Sequence, residues 1–378
     1  MKYMGSKRAM LKNGLGEALD GAIAGSSRVL DLFTGSAAVA WHIAQKYDIE
    51  VIAADLQLYS TSLASAVISR TSAVIDTGWV ESWLGRALSR LVGEERFQDA
   101  VKLQSRLHEL PVDLAAKTAR ALCAAAEAFP ISQSYGGYYL SPWQSMWLDA
   151  LRQALPEDDI LKSIALASLI QTASRASASP GHTAQPFKAN DTAGRFLLEA
   201  WRRDVVALVK SSTIDIGSKY AIKKGEAICD NALKVAELAR PGDLAFLDPP
   251  YSGVHYSRFY HVLETVARGF AGGAEGTGRY PPPSERPHSD FSVTSKSGKA
   301  FDLLLNTLAD RGASAIVTFP AGMTSNGLSG ETVRDIAEQH FQIDLEKVSS
   351  RFSTLGGNTK NRIARHDTHE LILRLSPR

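Results

Sequence analysis

Asp248-Pro249-Pro250-Tyr251 directly follows the apolar run Leu244–Leu247, which reads as a buried strand. Two prolines stop a strand and stiffen the turn after it. An acid, a rigid turn with exposed carbonyls and an aromatic ring would then sit together at a strand end, where open α/β sheets bind ligands. The set suits a planar base bearing an amine. The ring would stack on the base, and the carboxylate and the Pro249 carbonyl would accept hydrogen bonds from the NH2. A strand followed by a Pro-Pro turn can also be purely structural, so the tetrapeptide needs company.

Three other segments supply it. Residues 29–40 read as a short strand ending at Asp31, a small-residue turn through Phe33, Gly35 and Ser36, and a helix start. Gly35 can take positive φ and admit a ligand close to the backbone. Ser36 is a candidate N-cap, leaving backbone N–H groups directed above the strand. The apolar run 51–54 ends in Asp55, at the separation expected of an acid that holds a ribose diol. Asp55 also suits a helix cap, and both roles are compatible. The N-terminus, Tyr3-Met4-Gly5-Ser6-Lys7, lacks the apolar stretch of a targeting peptide and suits a turn closing a pocket.

In this order the segments resemble the Dam-like, D12-class adenine-specific DNA methyltransferases, which use S-adenosylmethionine. The resemblance covers roughly the first 70 residues and the last 150. It implies an α/β, Rossmann-like methyltransferase sheet with an inserted, mostly helical domain. It also implies roles. Asp248, Pro249, Pro250 and Tyr251 would be catalytic. Phe33 and Gly35 would form the cofactor turn, with Asp31 and Ser36 near the methionine moiety and Lys7 and Tyr3 closing over it. Asp55 would hold the ribose, and Asp230-Asn231 would lie at the cofactor's adenine. The family pattern places a second glycine two residues after the first; this chain has Ala37 there.

The chemistry follows from the target. The N6 lone pair of adenine is delocalised, so acceptors for both N–H bonds would favour a pyramidal nitrogen and stabilise developing positive charge. Since the sulfonium methyl is already activated, the protein's main task is alignment. An adenine in a duplex must be flipped out to reach such a pocket, with Tyr251 as its platform. Asp before Pro-Pro-Tyr goes mostly with adenine in this superfamily, whereas Ser or Asn there is frequent in cytosine-N4 enzymes. Three alternatives stay open: RNA adenine-N6 methylation, DNA cytosine-N4 methylation, and an inactive nucleic-acid-binding module of the same fold.

Composition sets the bounds. The 378 residues allow two domains. A net charge of +2 requires any nucleic-acid-binding basic residues to be clustered. Two distant cysteines, Cys123 and Cys229, suggest no disulfide framework or metal site and fit a cytoplasmic protein. His366 and His369 lack the neighbouring ligands of a metal site. No apolar run reaches the roughly 20 residues needed to span a membrane. The expected partner is double-stranded DNA, with a restriction nuclease or defence component as a possible companion.

The elements that must position these residues divide the chain. The catalytic domain is expected over 1–75 and 226–378, and an inserted helical domain for target recognition over 76–225. Helical spacing marks 79–91, 115–128, 143–155, 161–174 and 196–210. Strands are expected at 313–319, 343–348 and 370–375, with a helix at 330–340. Candidate DNA contacts are Arg175 and Lys188 in and after the polar loop 174–182, Arg258 after the catalytic motif, and Arg351, Lys360 and Arg362 in a Gly-hinged hairpin. The last 32 residues carry seven basic residues against two acids, which suits phosphate contact. The loop 132–139, rich in tyrosine and glycine, is a further candidate. The stretch 269–297, rich in Gly, Pro and Ser, reads as a flexible loop that orders on DNA.

Overall fold

The apolar runs that end in acids form the middle of one sheet. The protein is described by a computed structural model covering residues 7–124, 126, 128–353 and 365–378, with side chains throughout except 345–353 and 365–368. The strands are β1 (Arg28–Asp31), β2 (Glu50–Asp55), β3 (Glu226–Cys229), β4 (Leu244–Leu247), β5 (Ser314–Pro320), β6 (Phe341–Ser353) and β7 (Arg365–Pro377). They lie side by side in the order β3-β2-β1-β4-β5-β7-β6. The first five are mutually parallel, while β7 is antiparallel to both β5 and β6. Parallel strands buried on both faces need continuous apolar sequence, and β4 is buried at all four positions. A paired Arg28 and Asp243, joined by two hydrogen bonds of 2.6 and 3.2 Å, pins the start of β1 to that of β4.

The strand order reverses between β1 and β4, because β2 lies on one side of β1 and β4 on the other. Such a switch point opens a crevice above the carboxyl ends of the strands. Asp31 ends β1 and Asp248 follows β4, so the topology brings both acids to that crevice. The helix Gly330–His340 forms as the spacing predicts, with Ser329 accepting from the Thr332 N–H as its cap.

The chain divides into two compact units. Among the described residues, one comprises 7–64, 221–256, 288–353 and 365–378 and contains the sheet; the other lies within 65–220 and 257–287. These divisions fall at 64/65 and 220/221, where the sequence reading placed boundaries at 75 and 226, and the segment 257–287 groups with the helices. That second unit is built from helices. Gly78–Val92, Glu95–Ser105 and Val112–Ala124 bury one face, and Pro142–Gln153 and Asp159–Ala176 are largely enclosed. One of its cores gathers Leu103, Leu107, Ala115, Ala119, Leu197 and Trp201.

The expected single helix over 196–210 is two helices, Gly194–Trp201 and Val205–Gly217. Asp204 breaks the run by accepting from the Val206 and Ala207 N–H groups as an N-cap. The stretch expected to be a flexible loop is braced within the helical unit: Glu275 and Tyr280 pair through their backbones, and the Tyr280 hydroxyl donates to the Ala184 carbonyl at 2.6 Å. No described helix is long and apolar enough to cross a membrane.

Candidate active site

An acid stands at the end of each parallel strand around the switch point: Asp230 after β3, Asp55 on β2, Asp31 on β1 and Asp248 after β4. The antiparallel strand adds a fifth. Because β7 runs the other way, its early residue Glu370 pairs with Pro320 at the end of β5. It therefore reaches the edge that the parallel strands reach with their last residues.

Asp31 is buried, and among the described residues its carboxylate oxygens make no well-formed hydrogen bond, with only the N–H groups of Phe33 and Ala40 near them. Burial, with the nearby charges of Asp248 and Asp55, pushes its pKa up to about 8, and the N–H groups of Phe33 and Ala40 offset this only in part. A buried carboxylate without a partner is costly and suits a cationic ligand. The turn after it is built for close approach. Gly35 has φ 52°, and its N–H donates to Asp55 Oδ2 at 2.9 Å. Its carbonyl accepts from the buried Ser60 hydroxyl at 2.6 Å.

Asp55 takes a second N–H, that of Gln57, on Oδ1 at 3.0 Å. It therefore ties the Gly turn to the end of β2. Burial raises its pKa, against the lowering effect of those N–H bonds. Ser36 is not the N-cap. Ala37 occupies that position, with no side-chain cap and a left-handed backbone at φ 59°. The position where the family places a second glycine thus keeps the glycine conformation with an alanine, at a cost of about 1–2 kcal/mol. Phe33 is half-buried and meets Phe291 edge-on, with centroids 5.0 Å apart.

Asp230 and Asn231 follow β3, whose Cys229 lies beside Asp55. Asn231 caps the short helix Ala232–Ala236 through the Leu233 N–H, and Asp230 accepts from the Asn231 N–H. That bond lowers the Asp230 pKa.

At Asp248 the two oxygens differ. Oδ1 receives the Lys7 ammonium at 2.9 Å and the Thr318 hydroxyl at 3.0 Å. No donor among the described residues reaches Oδ2 or the carbonyl of Pro249, which leaves both as acceptors. Lys7 also bonds Glu370, and both side chains are buried. Burial alone would lower the Lys7 pKa, but Asp248 and Glu370 more than offset it and hold the ammonium charged. Burial raises the Asp248 pKa to about 6, with Lys7 restraining it and Glu370 adding to it.

The Pro-Pro turn is fixed by Asn326, fully buried, which donates to the Pro250 carbonyl at 2.7 Å and the Phe291 carbonyl at 3.0 Å. Gly253 is held by the Ser325 hydroxyl at 3.0 Å. A β-carbon at Gly253 would come within 2.5 Å of the Ser325 carbonyl oxygen, so the close approach requires glycine. Tyr251 is half-buried against the sheet core, and burial pushes its phenol up to about 12.

Glu370, Thr318 and Asn326 were not among the residues singled out from the sequence. A lone acid opening the apolar run 370–375 was the visible signal for Glu370. The side chain of Arg351 and the whole of Lys360, Arg362 and Tyr3 lie outside the described residues. In the helical unit Arg175, Lys188 and Arg258 are exposed. The loop 174–182 differs from expectation, since Ser174, Ser177, Ser179 and His182 are buried. The Ala178 N–H donates to the Tyr139 carbonyl at 2.7 Å and draws the loop inward.

The profile of the family described as D12 class N6 adenine-specific DNA methyltransferase matches residues 3–92 and 149–307, well over half of the chain. The chain belongs to that family. Its sheet is accordingly the Rossmann-like methyltransferase sheet, and a methyl donor is the co-substrate the family requires. The chain is also similar to the Type II methyltransferase M.FokI of Planomicrobium okeanokoites, with 35% identity over 86 residues. That match spans 22% of this chain and 13% of the relative.

Asp31 gives a prediction that does not depend on turnover. Its pKa of about 8 in the folded protein lies above the ordinary carboxylate value, so its contribution to stability is complete below about pH 4. That contribution is lost as pH rises through about 8, because the folded state keeps a proton that the unfolded state releases. Melting temperatures of wild type and Asp31→Asn are expected to diverge between about pH 5 and about pH 8, wild type losing more. Parallel curves would remove this reading of Asp31.

Proposed function

We propose that this chain transfers a methyl group from S-adenosylmethionine to N6 of an adenine flipped out of duplex DNA. The observation that carries the proposal is the asymmetry of Asp248. One oxygen is held by Lys7 and Thr318; the other, like the carbonyl of Pro249, receives no donor from the described residues. Two acceptors on a rigid turn match the two N–H bonds of an exocyclic amine.

Bound S-adenosylmethionine supplies a methyl group activated by its sulfonium. The orphaned carboxylate of Asp31 suits the cationic methionine end, with Gly35 and Ser36 forming the turn against which that end lies. Asp55 takes the ribose diol, and Asp230-Asn231 flank the adenine position. Lys7 acts through Asp248, keeping it ionised and oriented. Asp248 and Pro249 draw the amine hydrogens into line, so that the nitrogen lone pair faces the methyl carbon. The nitrogen–carbon bond would form as the carbon–sulfur bond breaks, with S-adenosylhomocysteine as the leaving group and the N6 proton passing afterwards to solvent. Tyr251 stacks on the extruded base.

The helical unit is assigned to target recognition, with Arg175, Lys188 and Arg258 as exposed candidates for DNA contact. The Type II relative makes a restriction nuclease the partner class to seek. The test is transfer of labelled methyl to duplex DNA, to RNA of the same sequence, and to duplexes in which adenine is replaced by N6-methyladenine. Label on the first substrate alone supports the proposal; label on RNA alone overturns it.

A further inference from the structure

The helical unit carries an arginine–tyrosine surface that the candidate active site does not use. We propose that Arg120, Arg258, Arg279 and Arg286, stacked on Tyr138 and Tyr280, form a seat for the DNA phosphate backbone. The inference rests on the DNA methyltransferase reading and adds to it the residues that hold the substrate.

The geometry is paired. The guanidinium groups of Arg120 and Arg279 lie 4.5 and 4.7 Å from the centre of the Tyr138 ring. Those of Arg258 and Arg286 lie 4.6 and 5.8 Å from the centre of the Tyr280 ring. A planar, weakly hydrated cation on an aromatic face is pre-oriented, and its remaining N–H donors match phosphate oxygens. Arg120 spends Nε on the Gly137 carbonyl at 3.1 Å. Arg279 spends Nε on Ser134 at 2.8 Å and Nη2 on Gln133 at 3.3 Å. Both anchors are to carbonyls, so no positive charge is neutralised.

Among the described residues none of the four arginines forms an ion pair with a carboxylate. Elsewhere in this unit Arg106 and Arg203 do, with Glu109 and Glu199. The acids of the same segment are Glu264, Glu275 and Glu285. The Glu285 carboxylate accepts from the Gly272 N–H.

The platform beneath is rigid. Tyr139 donates to the carbonyls of Thr183 and Gly278 at 2.6 and 2.9 Å, and Tyr135 shares a 2.9 Å bond with Thr265. His261 packs edge-on against Tyr135, Tyr139 and Tyr280, and burial lowers its pKa to about 3, so it adds no charge. The Glu275–Tyr280 turn presents Arg279 from a left-handed backbone, φ 55°. A non-glycine residue in that region is strained, and such strain persists where the side chain's placement is used.

The test is binding of the full chain to a labelled DNA duplex across a range of salt concentrations. Wild type is compared with Arg120→Gln, Arg258→Gln and the double variant. Removing two phosphate contacts is expected to weaken binding about equally for all sequences and to reduce the log–log salt slope by about two. S-adenosylmethionine affinity should stay at the wild-type value in every variant and melting temperature in Arg258→Gln, which separates a lost contact from a lost fold. Among the described residues the Arg258 guanidinium makes no hydrogen bond to the backbone, so its single variant tests the seat without disturbing the 132–139 loop. Unchanged affinity and slope in the double variant, with wild type binding DNA, would overturn the seat while leaving the methyltransferase reading intact. Wild type that methylates RNA and binds no duplex would overturn both.

Discussion

Asp248→Ala is expected to reduce methyl transfer by at least about a thousandfold while cofactor affinity changes by less than about threefold. The magnitude follows from removing an acceptor placed where charge develops, which typically costs 10²–10³ in turnover, combined here with loss of the group that Lys7 orients. Lys7 retains Glu370 as a partner in the variant, so the fold is expected to survive. Single-turnover transfer to a duplex, with calorimetric titration of S-adenosylmethionine, measures both quantities. A loss of less than about tenfold would mean that the carboxylate is structural and that the acceptor lies elsewhere. The same carboxylate, with a pKa of about 6, predicts that transfer falls below about pH 6, as protonation turns an acceptor into a donor.

Lys7→Met is expected to cost about 3–5 kcal/mol of stability, because it strands two carboxylates that share one cation. Glu370 and Lys7 are buried and Asp248 is 17% exposed, so the water that reaches Asp248 places the cost nearer the lower figure. Two facing carboxylates raise one another's pKa. The variant should therefore also lose activity near neutral pH and recover stability as the pH is lowered. The double variant Lys7→Met/Glu370→Gln should regain part of the lost stability, since it neutralises the fully buried carboxylate and leaves only the partly exposed Asp248 without its cation. Denaturant unfolding of wild type, the single variants and the double variant measures the coupling. A Lys7→Met cost below about 1 kcal/mol would show that the three side chains do not act as a unit.

The sequence made the centre of the sheet legible because β1, β2 and β4 are buried on both faces and so are written as uninterrupted apolar runs. Each of those runs ends in the acid that matters, which is why Asp31, Asp55 and Asp248 could be picked out by position. β3 left no such mark. It is the edge strand, with Glu226 and Cys229 exposed, and its short, mixed sequence carries neither the apolar run nor a clear alternation. Glu370 escaped for a different reason. Its role depends on an antiparallel strand delivering it to Lys7, 363 positions away, and no local pattern encodes that meeting. The same holds for Asn326, an ordinary turn residue until the fold sets it under Pro250. Residues 132–139 were read as a loop because of their glycines and tyrosines. Pro130–Tyr135 is instead helical, held by the buried Asp149, which accepts from the Ile131 and Ser132 N–H groups at 2.9 and 2.8 Å. A capping acid contributed by another helix is invisible to local reading.

The central claim is that this chain methylates adenine N6 in DNA at a defined site. The most direct measurement expresses wild type and Asp248→Ala in a host without adenine methylation, then maps modified bases by direct single-molecule sequencing of genomic DNA. The account predicts N6-methyladenine at one short recurring sequence in wild type and none with Asp248→Ala. Unmodified DNA in both strains, from soluble protein that binds S-adenosylmethionine, would contradict it.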